Sequence, residues 1–159
     1  MQNISLRAVV PEDAAFICRL MNEPSVLASL HEPPTALPVW EEAIPVWEED
    51  PDEEDSIVFC DGMPVGWIGV NSLLTDMPYV KILIILPEYQ GRGAGTAAME
   101  SILAKLRSRG YKKAALYTNE DNFPARKCYE KNGFAVVETL TEEMADGSIA
   151  GRVRMEANL

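Results

Sequence analysis

The chain predicts an α+β fold, a mixed sheet whose elements run β-α-α-β-β-β-α-β-α-β-β. Three observations carry this. Two β-rich runs, residues 56–60 and 64–70, flank Asp61-Gly62, a dipeptide suited to the positive φ angles of a tight hairpin. A long apolar run, from Met77 or Tyr79 to Leu86, leads into a Gly-rich stretch and then an amphipathic helix with Met99, Ile102, Leu103 and Leu106 at helical spacing. Two last β-rich runs, 134–140 and 149–155, close around Asp146-Gly147.

The elements follow in order. Residues 4–9 read as a first strand. Pro11-Glu12-Asp13 opens a helix to about Met21, with Ala14, Ile17, Cys18 and Met21 on one face. Residues 22–38 carry Pro24, Pro33, Pro34 and Pro38 and read as turns. A second helix covers 40–48, interrupted or ended near Pro45, whose ring has no N–H to give the helix. The acidic run 48–55 reads as a solvated loop held extended by its own repulsion. The apolar run ending at Leu86 is the candidate central strand, buried on both faces. A helix over 95–109 is stopped by Gly110, and 114–118 is a strand. Asn122 caps a helix to Asn132, stopped by Gly133. No internal repeat or linker interrupts this order, so one domain spanning residues 1–159 is expected.

A chain of 159 residues can bury about 70% of its unfolded surface. No run approaches the roughly 20 apolar residues of a membrane span. No basic segment followed by an apolar core marks a signal peptide, so a cytoplasmic location is expected. The three cysteines (Cys18, Cys60, Cys128) are odd in number and widely spaced, which argues against a disulfide framework or zinc site. Net charge is −11 but uneven: residues 1–61 hold fourteen Asp/Glu against Arg7 and Arg19, while 92–131 hold nine Lys/Arg against four acids. Nucleic acid is excluded as a partner of the whole molecule. The basic segment is either a solvated helix surface or a cradle for an anion, beside an acidic half that attracts cations.

The most informative motif is Gln90-Gly91-Arg92-Gly93-Ala94-Gly95, between the central strand and its helix. A turn of this kind lets the backbone approach a ligand and aims free N–H groups and the helix dipole at one point, which suits a phosphate or pyrophosphate. Gly95 is followed by Thr96-Ala97, not the Lys-Ser/Thr of a P-loop, and the third Gly of a dinucleotide turn is absent.

Gln90, Gly93 and Gly95 resemble instead the Q/R-x-x-G-x-G/A signature of the GNAT (Gcn5-related) N-acetyltransferases. Residues 122–134, with Asn122, Ala125, Tyr129, Gly133 and Phe134, resemble the family's N-x-x-A-x-x-x-Y-x-x-x-G-F segment. Leu6-Arg7-Ala8 and Pro11-Glu12-Asp13-Ala14 resemble the opening of the branch that acetylates ribosomal-protein N-termini, so the likeness covers nearly the whole chain. It implies the GNAT acyl-CoA N-acyltransferase fold, a mixed sheet of about seven strands with about four helices, and acetyl-CoA as co-substrate with no metal.

The resemblance also implies roles. The pantetheine arm would lie along the backbone of Leu83, Ile84 and Ile85, where an N–H would serve the oxyanion. The pyrophosphate would rest on the amides of Gly91, Arg92, Gly93, Ala94, Gly95 and Thr96, beside Gln90, with Arg92 adding charge. Tyr129 would be the general acid that protonates the leaving thiolate, and Asn122 would contact the cofactor arm as well as cap its helix. Cys128 is disfavoured as a covalent nucleophile, having no His partner close in sequence.

The chain departs from the pattern at the general base. Tyr79-Val80-Lys81 and Leu116-Tyr117-Thr118 hold no carboxylate where many relatives have one. His31, Glu32, Asp76 or a water chain remain as candidates, and His31, Glu32, Asp76 and Tyr79 are the expected substrate contacts. Trp40 and Trp47 are either an acceptor wall or core anchors. Two functions stay open: direct acetyl transfer to a primary amine in a ternary complex, or a non-catalytic acyl-CoA-binding or sensing module. The acidic half favours a cationic acceptor of polyamine or aminoglycoside type, with a protein N-terminus or Lys as alternatives. A homodimer is expected from the family.

Overall fold

The computed structural model describes residues 2–159. The strands are β1 (Ile4–Ala8), β2 (Glu54–Cys60), β3 (Met63–Asn71), β4 (Tyr79–Ile85), β5 (Lys113–Asn119), β6 (Phe134–Glu143) and β7 (Ile149–Asn158). The helices are α1 (Ala14–Met21), α2 (Pro24–Leu30), α3 (Leu37–Glu49), α4 (Ala94–Ser108) and α5 (Phe123–Lys131). One seven-stranded sheet runs β1-β2-β3-β4-β5-β7-β6, antiparallel everywhere except between β4 and β5. None of the described helices is long and apolar enough to cross a membrane.

Two apolar cores form, one on each face of the sheet. On one face Ile17 and Leu20 of α1 and Ile44 of α3 pack on Ile57, Trp67 and Leu86. On the other, Ala98, Met99, Ile102, Leu103 and Leu106 of α4 pack on Val58, Ile68, Val80 and Leu116. The 3.6-residue spacing in α4 and the alternation along β2 and β3 are what present these sets to the sheet. The β2–β3 hairpin turns at Asp61 and Gly62, with φ of 51° and 82°, as the Asp-Gly pair predicts.

Three expectations differ from the structure. Residues 24–30 form a helix, α2, where turns were expected, because Pro24 takes its first turn, where no N–H is needed. This makes five helices. Pro45 does not end α3, which runs through it to Glu49. Pro45 is exposed, so the carbonyl it leaves without a donor can reach water.

The third difference is the acidic run. Asp55 is buried on β2, accepts a hydrogen bond from Trp67 Nε1 at 2.8 Å and pairs with Lys81 Nζ at 3.1 Å. Lys81 also pairs with Glu53 and lies 4.1 Å from the Trp47 ring centroid. Lys81 is the extra residue of a bulge in the β3–β4 ladder, between Ile82 opposite Gly69 and Val80 opposite Val70. Gly69 gives the pair its space: a Cβ there would stand 2.3 Å from Asp55 Oδ1 and 2.6 Å from Lys81 Cε. Burial first, then the Glu53 carboxylate, pushes Asp55 up to about 7, against the pull of Lys81 and Trp67. Glu54 points to the other face, where it pairs with Lys105 and with Arg109 at 2.7 Å.

Candidate active site

The central feature is a split in the sheet. β4 and β5 are parallel neighbours but pair only at Tyr79 and Ala115, beside the bond from Ala115 N–H to the Pro78 carbonyl at 3.0 Å. Beyond that point the strands diverge toward their C-terminal ends. Residues 81–84 of β4 are consequently half-buried, where burial on both faces was expected.

Backbone alternation assigns the free groups on that open edge. Leu86 N–H donates to the Val65 carbonyl at 2.7 Å, so Leu86 and, two residues back, Ile84 turn their polar groups toward β3. Leu83 and Ile85 turn theirs into the split. The Ile85 carbonyl accepts Gln90 Nε2 at 2.8 Å. Gln90 thus braces the turn after β4 through its side chain.

At the mouth of the split α4 begins without a side-chain cap, its N-cap being Gly93 at φ 85°. Gly91 is also left-handed, at φ 76°, and the space where either Cβ would stand has no atom within 4 Å. These two positions need glycine for conformation and leave the turn open above. The first hydrogen bond of the helix runs from Ala97 N–H to the Gly93 carbonyl at 2.9 Å. The N–H groups of residues 91–96 make no hydrogen bond to another described residue. Arg92 is exposed, its guanidinium 5.6 Å from the Tyr89 ring. Six unpaired donors at a helix N-terminus with a nearby guanidinium form an anion cradle. Lys105 and Arg109, also in the basic segment, lie at the other end of α4 and are held by Glu54.

α5 runs beside α4. A Cβ at Gly95 would stand 3.7 Å from Cys128 Sγ and from Ile85 Cγ1, an ordinary packing distance, so the approach of the two helices does not itself require glycine. Thr96 Oγ1 and Cys128 Sγ are 3.5 Å apart, and burial pushes the Cys128 thiol up. Tyr129 is half-buried, with its ring 6.1 Å from that of Phe134. Its hydroxyl has no hydrogen-bond partner among the described residues. Burial first, then the Cys128 and Tyr79 groups, pushes it far above the usual phenol range, with Arg152 pulling the other way. Asn122 caps α5, accepting Ala125 N–H at 3.3 Å, and its amide reaches Ser29 Oγ at 3.3 Å.

The expected substrate contacts do not all converge. His31 ends α2 in a left-handed conformation, its Nδ1 2.9 Å from Ser148 Oγ and 3.9 Å from Asp146. It lines a cavity of about 430 Å³ with Glu120, Asp121, Phe123, Ile149, Ala150 and Gly151. Glu32 and Asp76 are exposed and outside that cavity. Tyr79 stands at the closed end of the split, 5.9 Å from the Tyr117 ring, and burial raises its hydroxyl. Trp40 and Trp47 pack on Trp67 at 5.9 and 5.2 Å, in the core beneath α1 and α3.

Sequence reasoning missed Glu120 and Asp121 because they follow the strand whose interior was searched for a carboxylate. It also missed Asn119, buried at the end of β5. Asn119 Nδ2 donates to the Ser29 carbonyl at 2.5 Å, and its Oδ1 accepts Arg152 Nη1 at 2.9 Å, so it joins α2, β5 and β7 next to Glu120 in the chain. The alternation of 115, 117 and 119 away from the α4 core was the one available signal.

Comparison with known proteins bears on the fold and the family. A mycothiol acetyltransferase of Corynebacterium glutamicum is 32% identical over 88 residues, 55% of this chain and 30% of that protein. The chain thus spans under a third of the length of that relative. The spermidine N(1)-acetyltransferase of Escherichia coli K12 is 27% identical over 96% of this chain and 84% of its own. The crystal structure of spermidine N-acetyltransferase from Vibrio cholerae, in complex with CoA and spermine, superposes with a TM-score of 0.86 at 24% identity, covering 98% of this chain and 95% of that one. The family model described as acetyltransferase (GNAT) family matches residues 16–134, well over half of the chain, and the protein belongs to that family.

Proposed function

We propose that this chain is an N-acetyltransferase that moves the acetyl group of acetyl-CoA onto a primary amine by direct attack in a ternary complex. The observation that carries this is the row of unpaired amides over residues 91–96 beside the open edge of β4. The cradle takes the pyrophosphate, with Arg92 adding charge, and the pantetheine arm runs along Leu83 and Ile85 in place of the missing strand contact, past Asn122. The amine lone pair attacks the thioester carbonyl, whose oxygen gains charge and accepts a backbone N–H of β4. Collapse breaks the C–S bond and expels the thiolate, which takes the Tyr129 proton. The amine's proton leaves through water in this reading, since Tyr79, Val80 and Lys81 carry no carboxylate and Lys81 is itself paired with Glu53 and Asp55. Burial keeps the phenol a donor at every working pH, and the raised Cys128 thiol is a poor nucleophile, which favours direct attack.

The acceptor in this reading is a cationic amine of the polyamine type. The acidic cavity beside the split supports it, as does the likeness to a spermidine acetyltransferase over most of both chains. A protein N-terminus is the second reading, favoured by the opening residues 6–14. A cytoplasmic location and a homodimer complete the proposal. The test is calorimetric titration with acetyl-CoA, with ATP and NAD as controls, followed by amine and peptide panels. Micromolar one-to-one binding of acetyl-CoA alone, then turnover of amines, is expected. Binding without turnover of any acceptor would favour a sensing module, and no binding would overturn the reading.

A further inference from the structure

β5 runs into two carboxylates that neither the cradle nor the acid uses. Glu120 and Asp121 are exposed, and neither side chain forms an ion pair or hydrogen bond among the described residues. The Glu120 backbone is nevertheless held in place. Its N–H donates to the Gly151 carbonyl at 2.9 Å, and its own carbonyl accepts Arg126 Nη1 at 2.7 Å. Its side chain lies against Gly151, where a Cβ would come within 2.5 Å of Oε2 and 3.5 Å of the Glu120 Cβ. Gly151 is not among the glycines with positive φ, so its missing side chain serves clearance for Glu120 rather than backbone conformation. Phe123 and Ile149, 62% and 68% exposed, line the cavity beside this carboxylate, with the Arg126 guanidinium 5.7 Å from the Phe123 ring centroid. An unpaired carboxylate beside exposed apolar side chains fits an alkylammonium, the charge on the oxygens and the methylenes on those side chains.

We propose that Glu120 sets acceptor specificity by docking the second, non-reacting ammonium of a linear aliphatic diamine or polyamine while the other amine is acetylated. This rests on the reading of the chain as an amine acetyltransferase. It assigns Glu120 to binding and not to the chemical step.

The test compares cadaverine with n-pentylamine, acceptors of equal chain length that differ by one ammonium, at saturating acetyl-CoA. Glu120→Gln should raise KM for cadaverine roughly tenfold or more, the scale of one charge-assisted hydrogen bond, while kcat and the KM for pentylamine stay within about twofold. Glu120→Asp should recover part of the loss, and Gly151→Ala, which displaces the carboxylate, should move KM the same way. A cadaverine-to-pentylamine KM ratio unchanged by Glu120→Gln would overturn the proposal. If neither amine is acetylated, the proposed activity fails on these acceptors. Calorimetry of cadaverine against the CoA-saturated protein then still decides the residue. Binding that Glu120→Gln abolishes supports it, and absent or unaltered binding overturns it.

Discussion

Gly69→Ala tests how the buried charges beneath α3 are accommodated. The new Cβ would stand 2.3 Å from Asp55 Oδ1 and 2.6 Å from Lys81 Cε, both well inside van der Waals contact. The lysine chain is flexible and can yield. Asp55 has a short side chain, its Oδ1 bonded to Trp67 Nε1 at 2.8 Å and paired with Lys81 at 3.1 Å, and its Oδ2 buried with no partner. Shifting it by about 1 Å lengthens both contacts beyond hydrogen-bonding range. Weakening two buried contacts costs about 2–4 kcal/mol. At roughly 2–4 °C per kcal/mol for a chain of this size, melting should fall by about 4–16 °C. Thermal and urea denaturation measure this. Gly69→Ala made in an Asp55→Ala background should cost less than it does in the wild type, because the obstructed carboxylate is gone. A drop below about 1 kcal/mol in Gly69→Ala, or an equal cost in the two backgrounds, would refute the reasoning.

Three other outcomes are expected. Tyr129→Phe should lower kcat by about 10²–10⁴ with acetyl-CoA affinity unchanged, and unaltered turnover would remove Tyr129 as the acid. Gly93→Ala forces a Cβ onto a left-handed residue at φ 85°, at about 1–2 kcal/mol, and should weaken acetyl-CoA binding several-fold by calorimetry. Gly93→Asn, which tolerates that conformation better, should weaken it less, and two variants indistinguishable from wild type would remove the cradle. Asp55 has its folded pKa raised from 3.8 to about 7, so the folded protein keeps a proton that the unfolded chain has released. The stability from this group is full below about pH 4 and is lost as pH rises through about 7. The melting temperature of the wild type relative to Asp55→Asn should therefore fall between these limits, and a constant difference would contradict the raised pKa.

The sequence by itself determined the order of the seven strands and of four of the five helices, the hairpin at Asp61-Gly62, the strand–turn–helix around residues 90–95 and the Asn122 cap. Each is local chemistry: a turn that needs positive φ, an apolar period of 3.6 or 2, a side chain that reaches an N–H three residues on. It also indicated the family, through two motifs whose spacing the fold reproduces. Tertiary structure decided whatever depends on residues far apart in the chain. Glu53 and Asp55 read as part of a solvated run because Lys81, on β4, is invisible to local charge counting, and only the bulge and Gly69 bring them together. The free edge of β4 follows from how far β5 diverges, and alternation then assigns Leu83 and Ile85 to the split and Ile84 to β3. His31, Glu120 and Gly151 share a cavity because α2 and β5 end, and β7 begins, at the same end of the strands. Sequence spacing carries no measure of that distance, which is set by how the strands pair and where the sheet opens.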